Sequence, residues 1–206
     1  MVIDEPHGPP KASVVAGALI NPVNVNRCTM VADHQHYIAA ALETYRSMEE
    51  TLGISLLEVM QMFVFHKDET KRQLYNEKQL QLPAYIQQLT NAEITLTQQF
   101  FRNKYGIAKV GPEKKIHATQ LLSAWSSFLK NKGLLLQEQF NIAECGIRPE
   151  SVQYKTISAG KIIFCEGAEG MHNSFFKNLP FTKNRGEALL LSVPDLPAEY
   201  VYHYSI

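Results

Sequence analysis

An α/β fold with a mixed sheet is the architecture this sequence predicts, and three features predict it. A helical stretch from Ile116 to Lys132 runs through Gly133 straight into Leu134-Leu135-Leu136. Helix, tight glycine turn and buried strand make half of a βαβ crossover. The run Ile54 to Phe65 is dense in apolar and β-favouring residues and reads as one or two strands. Finally, Met1-Val2-Ile3 is an apolar run closed by Asp4 and Glu5. It reads as a strand whose tip can grip hydroxyl groups. After a Pro/Gly spacer comes Ala12-Ser13-Val14-Val15-Ala16-Gly17-Ala18-Leu19, where backbone N–H groups can approach a flat ligand unobstructed.

The remaining elements follow in order. Asp33 reads as the N-cap of a helix reaching about Leu52, with Tyr37, Ala41, Tyr45, Met48 and Leu52 as its apolar stripe. Gly53 is its stop signal. Lys67 to Gln81 is polar, with Leu74 and Leu80 interspersed, and reads as an exposed helix. Residues 82–111 read as strands and connecting loops of a smaller sheet. On the helix from Ile116 to Lys132, Leu121, Leu122, Trp125, Phe128 and Leu129 form the apolar face. Gln153 to Ile157 and Lys161 to Cys165 read as a hairpin around Ser158-Ala159-Gly160, before the small-residue turn Glu166 to Gly170. Arg185-Gly186-Glu187 opens another apolar run, Ala188 to Val193, and Glu199 to Ser205 alternates aromatic and polar residues like an edge strand.

With 206 residues the chain can bury a sizeable core, as one large domain or two small interleaved ones. Hydrophobic residues at 45% and charged residues at 19% mark a globular protein rather than a disordered one. Lys+Arg 20 balance Asp+Glu 20, so no electrostatic footprint for nucleic acid is present. No apolar run approaches the roughly 20 residues of a bilayer span. The first residues lack the basic and long apolar regions of a secretory signal. Cys28, Cys145 and Cys165 lack paired spacing and read as reduced thiols of a cytoplasmic protein. His34 and His36, two apart, would not share a helix face, so no metal site is expected.

The acidic strand end, the short spacer and the Ala12-Ser13, Ala16-Gly17 and Pro22-Val23 pairs together resemble FAD-dependent oxidoreductases of the D-amino-acid oxidase and glycine oxidase superfamily. Further segments resemble the same family in its order. Gln120 to Phe140 looks like its helix, Lys-Gly, strand unit, and Lys161 to Ala168 like its strand and A-x-G-A turn. Leu179-Pro180-Phe181 and Arg185-Gly186-Glu187-Ala188-Leu189 look like the return to the substrate domain. The resemblance covers most of 1–50 and 113–193, whereas 54–111 match by position only. Glu166 departs from it, standing where the family has a small residue, and the fingerprint G-x-G-x-x-G is absent from the sequence.

The resemblance implies a partial FAD-binding, Rossmann-like domain (1–50 and 112–174) interleaved with an antiparallel-sheet substrate domain (53–111 and 175–206). It implies an internal segment of a longer enzyme, the parent oxidising a C–N bond of an amine or amino acid by hydride transfer to flavin. Asp4 or Glu5, not distinguished from each other, would accept hydrogen bonds from the adenosine ribose. Ser13 would donate to the pyrophosphate, and the N–H groups of Ala16, Gly17, Ala18 and Leu19 would face the isoalloxazine ring. Gly167 and Ala168 would approach the adenine side. FAD binding by these residues alone is expected to be weak or absent. No catalytic residue is assigned; His66, His172, Tyr37 and Arg185 are conceivable pocket residues that more often serve ordinary roles. Partners are expected to be a small-molecule amine or amino acid, with no nucleic acid and no membrane span. Open strand edges make self-association an expectation too. The competing reading is a non-catalytic α+β binding or assembly module that retains a flavoprotein scaffold.

Overall fold

The computed structural model describes residues 1–5, 12–184, 186, 189 and 191–204. Along the chain come β1 (Val2–Ile3), a 3-10 turn (Ala12–Val14), β2 (Leu19–Ile20), β3 (Val23–Asn24) and β4 (Thr29–Met30). Next are α1 (His34–Leu52), β5 (Leu57–Phe65), α2 (Glu69–Gln81), β6 (Ile86–Gln88), α3 (Asn91–Phe100), β7 (Ile107–Ile116) and α4 (Ala118–Asn131). The last elements are β8 (Leu135–Leu136), β9 (Cys145–Arg148), β10 (Ser151–Tyr154), β11 (Ile157–Ala159) and β12 (Tyr200–Tyr204), with 3-10 turns at Gly167–His172 and Ser174–Phe176 before β12. The fold is thus mixed α/β with several sheets. Among the described residues no helix is long and apolar enough to cross a membrane.

Two compact units result: Met1–Pro9 with Leu129–Leu190, and Pro10–Phe128 with Leu191–Ile206. The larger unit is built on a sheet ordered β12-β5-β7-β2, with β6 also paired to β7. β12 runs parallel to β5 and the other pairs are antiparallel. Alternation along β5 sends Met62 and Val64 to one face, where they join Val23, Cys28, Tyr75, Ile86, Ala108 and Val110 in the core. Phe63 and Phe65 take the opposite face. There Phe63 stacks on Tyr200 at 4.5 Å and Phe65 meets Phe101 at 4.8 Å.

In the smaller unit, β1 pairs in parallel with β8, Val2 opposite Leu135 and Ile3 opposite Leu136. A separate meander, β9-β10-β11, packs Tyr154 against Phe140 at 4.7 Å. Phe140 in turn meets Phe164, which touches Phe175 and Phe176.

Several expected elements change on inspection. α1 ends at Gly53 (φ 65), whose N–H reaches the carbonyl of Glu49, as the glycine signal requires. Asp33 does not cap it: the residue is left-handed (φ 51) and makes no side-chain cap bond. Tyr37 is 63% exposed, and Ile38 stands on the half-buried side with Ala41, Tyr45, Met48 and Leu52. In α2 it is Tyr75 that points inward, its hydroxyl donating to the carbonyl of Val25, while Leu80 is exposed. The stretch 82–111 contains α3, an element absent from the sequence reading. Its start is a reciprocal capping box, Thr90 accepting from the Glu93 N–H and Glu93 from the Thr90 N–H. β8 is half-buried rather than buried.

The hairpin expected around Ser158-Ala159-Gly160 lies elsewhere. Its turn is Lys155-Thr156, with Lys155 left-handed (φ 51), and Lys161 to Cys165 forms no strand. Tyr154 explains the shift: burying it opposite Cys145 fixes the register, and the chain reverses directly after it. Arg185, Glu187, Ala188 and Leu190 lie outside the described residues. Gly186, Leu189 and 191–193 are in no strand. β12 is an edge strand, as its alternation suggested; Ser205 lies outside the described residues.

Candidate functional site

The residues singled out from the sequence fall into two groups, one in each unit. In the smaller unit, Asp4 and Glu5 follow β1 at the carboxyl end of a parallel strand pair, both exposed. The Asp4 N–H donates to the Leu136 carbonyl at 3.0 Å, which fixes the backbone at the point where the carboxylates begin. Gly167 and Ala168 open the 3-10 turn Gly167–His172 and are also exposed. Gly167 has φ +57, and a Cβ there would meet nothing within 4 Å. The glycine therefore serves backbone conformation, with open space above it. Glu166, the departure from the family pattern, has work of its own. Its carboxylate accepts from the side-chain amide of buried Asn173 at 2.7 Å, tying the two 3-10 turns together.

In the larger unit, Ser13 lies in the turn Ala12–Val14 and is exposed. The chain then passes Ala16 and Gly17 and joins the sheet: Ile116 N–H donates to the Ala18 carbonyl at 2.8 Å, and Leu19 pairs with Lys115. Thr119, in the first turn of α4, donates its hydroxyl to the Val14 carbonyl at 3.3 Å. These ties form a cleft of about 500 Å³ lined by Ala16, Gly17, Lys115, Ile116, His117, Thr119 and Ser123, among others. The positive φ of this loop belongs to Ala18 (φ 48). An alanine held there is strained by sterics that glycine would escape.

The electrostatics of this cleft come from three sources. His117 precedes α4 and turns its ring to Glu58, Nε2 to carboxylate oxygen 3.4 Å, instead of capping the helix. No side chain among the described residues accepts from the backbone N–H groups of Ala118, Thr119 or Gln120, so the positive end of the helix dipole stays open. Lys115 lies 4.0 Å from the same Glu58 carboxylate. This wall of small residues beside helix N–H groups and a lysine suits a flat ligand carrying partial negative charge. A hollow of about 630 Å³ also lies against the outward face of β9 and β10, lined by Glu144, Gly146, Arg148, Ser151, Gln153 and Lys155. None of the residues singled out from the sequence lines it.

Of the conceivable pocket residues, none of those described lines the Ala16–Gly17 cleft. His66 is buried, its pKa pulled down to about 4 by desolvation and by the charges of Lys71 and Arg72. His172 is exposed with Nε2 3.9 Å from Glu169, Tyr37 faces solvent, and Arg185 lies outside the described residues. Cys28 is buried and free, and desolvation raises its thiol pKa. The buried residue that sequence reasoning missed is Glu113, fully enclosed with both carboxylate oxygens unpartnered. Its signal would have been a carboxylate following Gly111-Pro112, just past the stretch 82–111 that reads as strands and loops.

No family model matches the sequence. Solved structures similar to it include an L-amino acid deaminase from Proteus vulgaris, at 10% identity and TM-score 0.47, covering 73% of this chain and 36% of that one. Another is an iminodiacetate oxidase from Chelativorans sp. BNC1, at 17% identity and TM-score 0.41, covering 68% of this chain and 40% of that one. The chain thus spans well under half the length of either structure. A likeness this slight carries no functional weight.

Proposed function

We propose that the chain is a segment of an FAD-dependent oxidoreductase whose parent oxidises a C–N bond of an amine or amino acid. The observation that carries this reading is the parallel β1–β8 pair, with Asp4-Glu5 at its carboxyl end and α4 leading through Gly133 into β8. That arrangement suits the grip of a ribose by a carboxylate at the end of a parallel strand. The Ala16–Gly17 cleft is the second support. The partial FAD-binding domain is assigned to 1–50 and 112–174 and the discontinuous substrate domain portion to 53–111 and 175–206.

The residues present fit the cofactor in part. Asp4 and Glu5 are exposed acceptors, Ser13 an exposed donor, and Ala16 and Gly17 a small-residue wall. A glycine-rich turn for the pyrophosphate is absent from the sequence. When bound, the flavin supplies the hydride acceptor. The chain's own part is to hold it: either acidic side chain accepts from ribose hydroxyls, Ser13 donates to a phosphate oxygen, and the N–H groups of Ala16 to Leu19 line the ring edge.

The test is flavin content. The 206 residues alone should retain little or no flavin through gel filtration, read as the flavin-to-protein absorbance ratio. Joined to a preceding strand and G-x-G-x-x-G turn, they should retain it stoichiometrically. Gly17→Val in the joined protein should lower retention sharply while leaving the fold intact, because a Cβ at Gly17 meets nothing within 4 Å. A joined protein that folds but holds no flavin overturns the reading.

A further inference from the structure

Glu113 is 0% exposed, and neither of its carboxylate oxygens has a hydrogen-bond partner. Its burial is the work of a single register shift. From Leu57 opposite Ile116 to Met60 opposite Glu113 the β5–β7 pairing is regular, and it resumes with Met62 opposite Val110. Gly111 and Pro112 together therefore oppose Gln61, a bulge of one extra residue on β7. Without that residue Glu113 would stand opposite Val59, which is 61% exposed, and its carboxyl would reach water. With it, Glu113 stands opposite Met60, which is 3% exposed, on the core side of the sheet.

Alternation places Lys115 and His117 on the same side as Glu113, and both approach Glu58 on β5. Further along that face stand Cys28, Tyr75 of α2 and His66, whose ring lies 4.9 Å from that of Tyr75. None of these groups bonds to the Glu113 carboxyl. Lys115 is also the residue that pairs with Leu19 of β2, and Ile116 donates to Ala18. The strand that carries the buried acid thus anchors the small-residue loop of the cleft.

We propose that Glu113 is a protonation-controlled latch: as the neutral acid it stays in the core and holds the bulge closed, and on losing its proton to solvent it leaves the core and loosens β7 where the Ala16–Leu19 loop is anchored. An ionised carboxylate cannot remain without a partner in an apolar enclosure. On its own face the basic side chains nearest in sequence are Lys115 and His117. Burial alone holds the carboxyl up to about 7, so the change falls near neutral pH. This inference stands whether or not the chain belongs to a flavoenzyme.

Two measurements on the intact chain test it. The Glu113 carboxyl carbon, followed by NMR, should titrate near neutrality, and a midpoint in the ordinary range of about 4 to 4.5 overturns the proposal. Amide exchange at Ile116, corrected for its intrinsic rate, should lose about tenfold or more protection as the carboxyl ionises, while Val64 keeps its own. In Glu113→Gln the protection of Ile116 should not vary with pH, and an unchanged step there overturns the proposal. Should that variant fail to fold, the two midpoints in the unmodified chain decide. Coincidence supports the latch, and divergence refutes it.

Discussion

Two carboxylates, one in each unit, show how differently the chain accommodates an acid. Glu113 sits in the larger unit with nothing to accept from, and its pKa rises to about 7 through desolvation alone. Glu138, in the smaller unit, accepts from the Tyr154 hydroxyl at 2.8 Å and from Lys155 at 2.7 Å, and its pKa is lowered, the Lys155 hydrogen bond contributing most. The enclosed acid without a partner is raised, and the more exposed, paired one is lowered. Glu138 is placed by its partners, whereas Glu113 is placed by the backbone.

If the backbone imposes the burial of Glu113, the bulge should be the most sensitive point of the sheet. Gly111 has φ +144, and a Cβ there would lie 2.9 Å from the Gln61 side-chain oxygen and 3.1 Å from the Glu113 nitrogen. Gly111→Val is therefore expected to cost about 3 kcal/mol or more, read as a fall in the denaturant midpoint. A loss within experimental error would mean the bulge is soft, and the contrast would dissolve.

The second expectation concerns pH, and its sign is opposite for two buried groups. Glu113 is held above its unfolded value, so its contribution is fully present below about 4.5 and is lost as pH rises toward about 7. His66 is held below its unfolded value of 6.5, so its contribution is present above that and is lost as pH falls toward about 4. Each amounts to as much as about 3 kcal/mol, and over roughly pH 4.5 to 6.5 they offset each other. Chemical denaturation should accordingly find stability nearly level across that window. Glu113→Gln should expose a rise with pH, and His66→Phe a fall. A level profile in either variant would show that its group does not titrate as its burial requires.

The smallest effect belongs to the network around Glu138. Tyr154→Phe keeps the ring packing on Phe140 and removes one donor, so it should cost about 1 kcal/mol. Glu138→Gln should shift the midpoint less, and added salt should shrink the shift, because the Lys155 partner is partly in water. A larger loss than that of Gly111→Val would reverse the ranking of the two regions.

Local signals in the sequence carried much of the fold. Gly53 and Gly133 ended their helices, and α4 led through the glycine turn into β8, although Leu122 of its expected apolar face is exposed. The capping box of α3 was equally local, in Thr90 and Glu93, but the β-branched residues around it pointed to strand. What lay beyond reach was register. The turn at Lys155-Thr156 and the enclosure of Glu113 depend on which residue stands opposite which, and a single sequence does not state its cross-strand partners. For the candidate site, Ala16 and Gly17 were legible as a small-residue wall. Lys115 and His117 were not, because they reach that wall only through the pairing of β2 with β7.

The parallel pairing of β12 with β5 has a consequence in time. Tyr200 meets Gln61 and Tyr204 meets Phe65, so the two strands are separated by most of the chain. On a ribosome, β5 emerges long before the strand that covers its free side. Until then Phe63 and Phe65 lack the tyrosines of β12, and the Leu129–Leu190 part of the smaller unit is synthesised in the interval. Contacts so distant in sequence form slowly and leave a bare apolar edge meanwhile. The nascent larger unit therefore spends its synthesis as a sheet with one side open, a state in which a chaperone or a neighbouring nascent chain has first access to β5.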